Sequence, residues 1–266
     1  SVMRHVTDGW VLVPLMLAIV LGGLGFPVLT ELWVNRRNRN ARWSVHTTLT
    51  IWGSAGLVVI GTVSLWLVER ENAGTLGPLS LADQWLAALF TSVSARTAGF
   101  NALDIGALQT ESLVLHYVLM FIGGGSAGTA GGVKVTTFFL LLLIVWTEIR
   151  GRADVEFRGR RIGVPVQRQA LTILVLSGMA LSIGLLAIVP MAEHIPLEKL
   201  MFEVVSAFAT VGLSTGITAD LPAGAQMVLI ALMYVGRVGV VTLALALAIN
   251  QVPRAYRFPE EKPIVG

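Results

Sequence analysis

Five stretches of this chain, roughly 9–34, 46–68, 113–149, 167–191 and 226–251, are apolar over the length a helix needs to cross a bilayer or longer; that length is about 20 residues for a ~30 Å hydrocarbon core. Hydrocarbon offers no partners to backbone N–H and C=O groups, so such stretches fold as helices that close their own hydrogen bonds. The composition agrees: 55% of the residues are hydrophobic and 13% are charged, well under the roughly 25% charge of soluble domains. Cysteine is absent, which excludes a disulfide framework, a thiolate metal site and a thiol nucleophile. The chain opens on Ser1 and enters an apolar run by residue 9 without the look of a cleavable signal. It reads as the later part of a longer protein.

Charge supplies the topology. Arg36, Arg37, Arg39 and Arg42 fill one short loop, Arg150, Arg152, Arg158, Arg160, Arg161 and Arg168 crowd a second, and Arg254, Arg257 and Lys262 sit in the tail. The positive-inside rule places all three in the cytoplasm. The other connections hold Glu69, Glu71, Asp83, Asp104, Glu111, Glu193, Glu198 and Asp220, and they alternate with the basic loops as five crossings require. Ser1 is then outside and Gly266 inside. The basic balance follows from this rule and calls for no nucleic acid.

Two shorter apolar pieces, "LADQWLAALFTSVS" and "PLEKLMFEVVSAFA", lie on the outer side. Each is too short to cross and reads as a re-entrant half-helix, with irregular backbone buried in protein or lining a cavity. Each runs into a related turn, "TAGFN" at 97–101 and "TVGLS" at 210–214, 113 residues apart. The same offset carries "IGGGS" at 122–126 onto "VGRVG" at 235–239, and "LGGLG" at 21–25 is a partial earlier copy. One unit of helix, half-helix, turn and helix is therefore used twice, after the closing helix of another.

Residues 113–149 as one straight helix would extend about 55 Å, far more than a bilayer. The middle is "GGGSAGTAGGVK", where each glycine costs about 1 kcal/mol against alanine. A break with an intramembrane loop at 123–134 is expected. The turns invite a chemical reading as well. Glycine reaches the dihedrals that aim carbonyls at a common axis, rings of carbonyls replace an ion's water shell, and a half-helix C-terminus aimed at the same place favours a cation. Ser94 and Ser206 are small enough to let the turns pack and offer donors to freed backbone groups.

The runs "ARTAGFN", "MFIGGGSAGTAGGVKVTTF", "FATVGLSTGIT", "VGRVGVVTLALAL" and "FPEEKPIVG", in this order over nearly the whole chain, resemble the Trk/Ktr/HKT superfamily of potassium-translocating membrane subunits, most closely its bacterial Ktr branch. The resemblance implies an all-α integral membrane fold with fourfold pseudosymmetry, each repeat a helix, a pore half-helix with a filter turn, and a second helix. About two and a third of the four repeats are then present. Residues 1–45 are the last helix of the second repeat and a cytoplasmic loop. Residues 46–166 are the third repeat, with helix 46–68, pore helix 82–93, filter 94–101 and a broken helix 113–149. Residues 167–266 are the fourth, with helix 167–191, pore helix 197–209, filter 210–216, helix 226–251 and a cytoplasmic C-terminus.

Carried over by residue, the resemblance puts filter carbonyls at Thr97, Ala98, Gly99 and Phe100, and at Thr210, Val211, Gly212 and Leu213. Gly99 and Gly212 go with potassium preference. The gate is the loop holding Gly123, Gly124, Gly125, Ser126, Gly128, Gly131, Gly132 and Lys134, opposed by Arg237. Arg96 is expected to brace its turn. Implied too are passive or sodium-coupled potassium uptake across the plasma (inner) membrane, a homodimer, and a cytoplasmic nucleotide-binding regulatory ring of RCK type. The chain has no cofactor of its own, and its only metal is K+ at the filter carbonyls.

Arg237 carries weight without the resemblance, because a charge inside a span costs at least about 2.5 kcal/mol and marks a functional site by default. Trp10, Trp33, Trp43, Trp66 and Trp146 flank spans as interfacial belt residues. His46, His116 and His194 sit near span ends without metal-ligand spacing. Two other readings stand beside transport: a non-conducting fragment or structural membrane subunit, and, remotely, an intramembrane serine protease using Ser126 and His116. The second needs groups about 15 Å apart along a helix to meet. "RGRADVEFRGRRI" at 150–162 reads as a solvated loop.

Overall fold

A computed structural model describes residues 1–36, 42–128, 130–239 and 242. The expected helix beyond Gly239, the basic tail, and Arg37 and Arg39 of the first basic loop lie outside the described residues. The helices are α1 (Gly9–Leu24), α2 (Phe26–Asn35), α3 (Val45–Glu69), α4 (Leu81–Ser94), α5 (Thr110–Phe121), α6 (Val135–Ile149), α7 (Val164–Ile188), α8 (Leu197–Phe208) and α9 (Ala223–Val238). Among the described residues, Val45–Glu69 and Val164–Met191 are long and apolar enough to cross a membrane, and α1 with α2 makes a third candidate bent by 96°.

That bend departs from the single run read at 9–34. Gly25 adopts φ +86°, and Pro27 follows in the first turn of α2, where its missing N–H costs nothing. A Cβ on Gly25 would meet the Ser126 carbonyl oxygen at 2.5 Å, so the bend lies against the glycine-rich segment. The long third run divides into α5 and α6, with residues 122–134 between them. There Gly123 N donates to Val133 O at 2.8 Å and Val133 N to Phe121 O at 3.2 Å. The basic stretch read as a loop carries a short hairpin, β1 (Glu156–Phe157) against β2 (Arg160–Arg161). Its two turn residues, Arg158 and Gly159, both have positive φ, the geometry that a two-residue hairpin turn requires.

The half-helices start on local chemistry. Ser80 caps α4, accepting from Asp83 N and donating to the Asp83 carboxylate at 2.6 Å, so an anion sits at the positive helix end. α8 begins after Pro196 with Glu198 in its first turn. α4 packs on α3 and α1, α8 on α9, α5 and α7. Glycine permits the closest crossings: Gly61 lies against Ser92 and Leu119, and Gly184 against Leu232, the small-residue packing of membrane helices. The largest core cluster joins Leu119, Met120 and Ile122 to Phe202, Val205, Val211 and Leu213, which seats the second turn in the middle of the molecule. Arg70 covers Trp66 and Arg150 covers Trp146, cation–π pairs at the ends of apolar helices.

Candidate functional site

The two turns share one backbone. Thr97 and Gly99 have φ of 69° and 73°, Thr210 and Gly212 of 52° and 90°. Glycine adopts such values freely. A β-branched threonine does not, and two threonines held there at the same repeat offset are strain that the surroundings impose. The turns also touch: a Cβ on Gly99 would come within 2.5 Å of Val211 O and 3.3 Å of Gly212 Cα.

Hydrogen bonds sort the carbonyls. Ser94 Oγ donates to Phe100 O, and Ser206 Oγ donates to Leu213 O at 2.6 Å. Among the described residues no backbone N–H donates to the carbonyls of Thr97, Ala98, Gly99, Thr210, Val211 or Gly212. Val211 is buried, Thr97, Ala98, Gly99 and Thr210 are half-buried and Gly212 is exposed, and the six carbonyls lie in two touching turns. A cavity of about 220 Å³ opens beside Thr97, Ala98 and Phe100. Another of about 620 Å³ adjoins Thr210, Gly212 and Leu213 and is lined also by Glu203, Tyr234 and Arg237.

Each turn has one buried charge behind it. The Arg96 guanidinium, 8% exposed, donates to Ser54 O at 3.0 Å, Ser54 Oγ at 3.1 Å and Gly123 O at 3.0 Å. It thereby ties the first turn to α3 and to the start of the glycine-rich segment. Glu203, 5% exposed, accepts from Ser214 Oγ at 2.7 Å, Thr215 N at 2.9 Å, Thr215 Oγ1 at 3.2 Å and Thr218 Oγ1 at 2.9 Å. Sequence reasoning missed Glu203. The signal was an acid inside "LMFEVVSAF", with three hydroxyl residues 11 to 15 positions on.

The glycine-rich segment is clamped from two sides. Gly124, Gly125 and Gly128 leave no room for a Cβ beside the carbonyls of Gly23, Leu24 and Gly22, while Gly131 and Gly132 lie against Ala209 and Thr210. Lys134 Nζ donates to Ala130 O and is within Coulombic reach of Arg237 near the end of α9. Gly236 leaves no space against Phe208 O, which holds the end of α9 on α8 just below the second turn. Ser126 Oγ shares a hydrogen with Thr136 Oγ1 at 3.0 Å, and His116 Nδ1 bonds Ser112 O at 2.7 Å. These are not the contacts of a nucleophile and its base.

Residues 1–255 match the family model TrkH, cation transport protein. The chain belongs to this family. TrkH-family relatives include Ktr system potassium uptake protein B of Vibrio alginolyticus, 38% identical over 266 residues, covering 100% of this chain and 58% of the relative. The protein of the same name in Bacillus subtilis is 35% identical over 266 residues, covering 100% and 59%. Potassium/sodium uptake protein NtpJ of Enterococcus hirae is 33% identical over 272 residues, covering 100% and 59%. The chain thus spans less than two thirds of the length of these curated relatives. The TrkH crystal structure from Vibrio parahaemolyticus superposes with a TM-score of 0.68 at 19% identity, over 88% of this chain and 51% of that one. The TrkH fold is therefore that of this chain: all-α, membrane-embedded, and built of helix, half-helix, turn and helix repeats. It is a family of transporters rather than enzymes.

Proposed function

We propose that the protein moves potassium across the cell membrane through a path lined by the carbonyls of Thr97, Ala98, Gly99, Thr210, Val211 and Gly212. The observation that carries this reading is the matched pair of strained Thr-x-Gly turns, in contact with each other, whose six carbonyl oxygens take no backbone N–H among the described residues. A dehydrated cation supplies what those oxygens lack. Phe100 and Leu213 close each turn through their serine-bound carbonyls. The names of the relatives, two potassium uptake proteins and one potassium/sodium uptake protein, support potassium as cargo and leave sodium as a coupling or activating ion.

The segment 123–134 with Arg237 acts as the gate beneath the second turn. Its glycines allow the backbone to lie against Ala209 and Thr210, and Lys134 and Arg237 put positive charge on the ion's exit. The basic loops face the cytoplasm of a plasma (inner) membrane protein whose C-terminus is inside, and the working form is a homodimer on a nucleotide-binding ring.

The test is rubidium uptake by potassium-uptake-deficient cells expressing the full-length protein as wild type, Gly212→Ser or Arg237→Ala. Loss of potassium preference in the first and altered flux in the second are expected. Unchanged selectivity and flux in both would refute the reading.

A further inference from the structure

A cavity of about 540 Å³ lies between α3, α6 and α7, lined by residues of none of the turns. Three helices begin at it. Val45 and His46 open α3, Lys134 is the N-cap residue of α6 and Gly163 that of α7. Helix N-termini carry about half a positive charge each; here Thr47 N donates to Ser44 Oγ, Val135 N to Gly124 O and Val166 N to Gly163 O, and Pro165 has no N–H, so the helix dipoles count for more than free donors. Neither α6 nor α7 has a side-chain cap, and none of the three helices carries an acid in its first turn.

Formal charge adds to this. Arg160, Arg161 and Lys134 line the cavity, and no acidic residue does. Asp154 pairs with Arg161 at 2.8 Å, Glu156 lies across the hairpin from Arg161, and Glu31, within Coulombic reach of Arg160, accepts from Ser44 N and the Ser44 and Thr47 hydroxyls. His46 Nε2 is buried without a hydrogen-bond partner among the described residues and belongs to the same lining. Two guanidiniums, an ammonium, the His46 ring nitrogen and three positive helix ends at one cavity fit an anion with several acceptor oxygens. The walls are different, since Leu49, Leu140, Val166 and Ile173 are apolar. A phosphate ester that carries hydrocarbon satisfies both parts, and basic pockets between membrane helices take such headgroups.

We propose that this cavity binds an anionic phospholipid, its phosphate at Arg160, Arg161 and the helix ends, and the start of one acyl chain along Leu140 and Ile173. Ser126 and Lys134 of the glycine-rich segment also line the cavity, so a bound lipid braces that segment. The inference rests on the membrane reading and not on the ion path.

Native mass spectrometry of the detergent-purified full-length protein tests it with phosphatidylglycerol and phosphatidylcholine as probes. Wild type is expected to prefer phosphatidylglycerol by about tenfold or more. The preference is lost in the Arg160→Gln/Arg161→Gln double variant. It is lost equally in Thr137→Phe, which fills the cavity without touching charge. Retained preference in both variants overturns the proposal. So does inorganic phosphate stabilising the wild type against heat as well as phosphatidylglycerol does, which assigns the site to a soluble anion. Neither readout depends on transport, so this site and the ion path fail separately.

Discussion

Residue for residue, the turn at 97–100 and its mate at 210–213 differ most where their charges are. Arg96 has Ala209 as its repeat mate, and Glu203 has Phe90. In the third repeat a cation reaches from the turn to Gly123 and Ser54, and the position of the carboxylate is held by Phe90, packed with Leu12, Met16 and Ala102. In the fourth, Ala209 is small because Gly132 lies against it, and Glu203 fastens Ser214, Thr215 and Thr218 beyond the turn. The mates of Thr215 and Thr218 are Ala102 and Ile105, both buried. Beside the carboxylate itself, two of its three partners have switched from apolar to polar, the mate of Ser214 being Asn101. The lesson is one of division: a single backbone device is braced inward, toward the proposed gate, in one repeat and outward, toward the proposed mouth, in the other.

The largest expected effect tests the inward brace. Arg96→Ala strands the Gly123 carbonyl and takes a donor from the Ser54 hydroxyl, while the Ser54 carbonyl keeps its place in the α3 ladder; a buried orphan costs about 1–3 kcal/mol. Rubidium uptake is expected to fall about a hundredfold, the equivalent of roughly 3 kcal/mol, with a lower melting temperature. Arg96→Lys rescues only in part, because an ammonium lacks the planar fork that spans two acceptors. Wild-type uptake in Arg96→Ala would remove the inward brace from the comparison.

The outward brace comes next. Glu203→Ala frees four donors around Ser214, Thr215 and Thr218, yet leaves the glycine-rich segment untouched. Discrimination between potassium and sodium is expected to drop about tenfold, roughly 1.4 kcal/mol, in competition uptake assays, with total flux less affected. Glu203→Gln, which keeps one acceptor oxygen, loses less. If Glu203→Ala instead loses flux as Arg96→Ala does, the two braces are one device.

How much of this is legible in the sequence follows from which forces are local. The offset of 113, the half-helices and the break in the glycine run are legible, because apolar length and the helix cost of glycine act on nearby residues. Gly99 and Gly212 announce positive φ for the same reason. Thr97 and Thr210 do not, since no threonine asks for that conformation and only the packed surroundings hold it there. The bend at Gly25 is half legible: Gly25 and Pro27 punctuate the apolar run, but the contact the bend makes lies about a hundred residues away at Ser126. The partners of Arg96 and Glu203 are likewise distant: spacing betrays a buried charge and not the carbonyls it will reach.

A third prediction uses the close approach of the turns. Gly99→Ala and Gly212→Ala both place a side chain at positive φ, at about 1–2 kcal/mol each. Only at Gly99 does the new Cβ also meet Val211 O at 2.5 Å, whereas at Gly212 its nearest neighbour is Gly99 Cα at 3.5 Å. Gly99→Ala is therefore expected to be the more damaging by roughly 1–3 kcal/mol, as for other overpacked sites, read as residual uptake and melting temperature. Equal damage would mean that the turns do not keep this contact.

The smallest effect probes whether the turns act separately. Ser94 reaches forward six residues to Phe100 O and Ser206 seven to Leu213 O, so the serines are not repeat mates although the carbonyls they hold are. Two registers have arrived at one bond. A typical hydrogen bond contributes about 0.5–1.5 kcal/mol net, so Ser94→Ala and Ser206→Ala should each lower stability by that order and by similar amounts, measured by thermal unfolding in detergent. Residues in contact couple by about 0.5–3 kcal/mol, and independent sites add within a few tenths. Because Gly99 rests on Val211, a loosened first turn disturbs the second, and the Ser94→Ala/Ser206→Ala double variant is expected to depart from the sum of the single ones. Strict additivity would show two turns that merely touch; coupling would show that the opposite braces at Arg96 and Glu203 hold one continuous structure from its two ends.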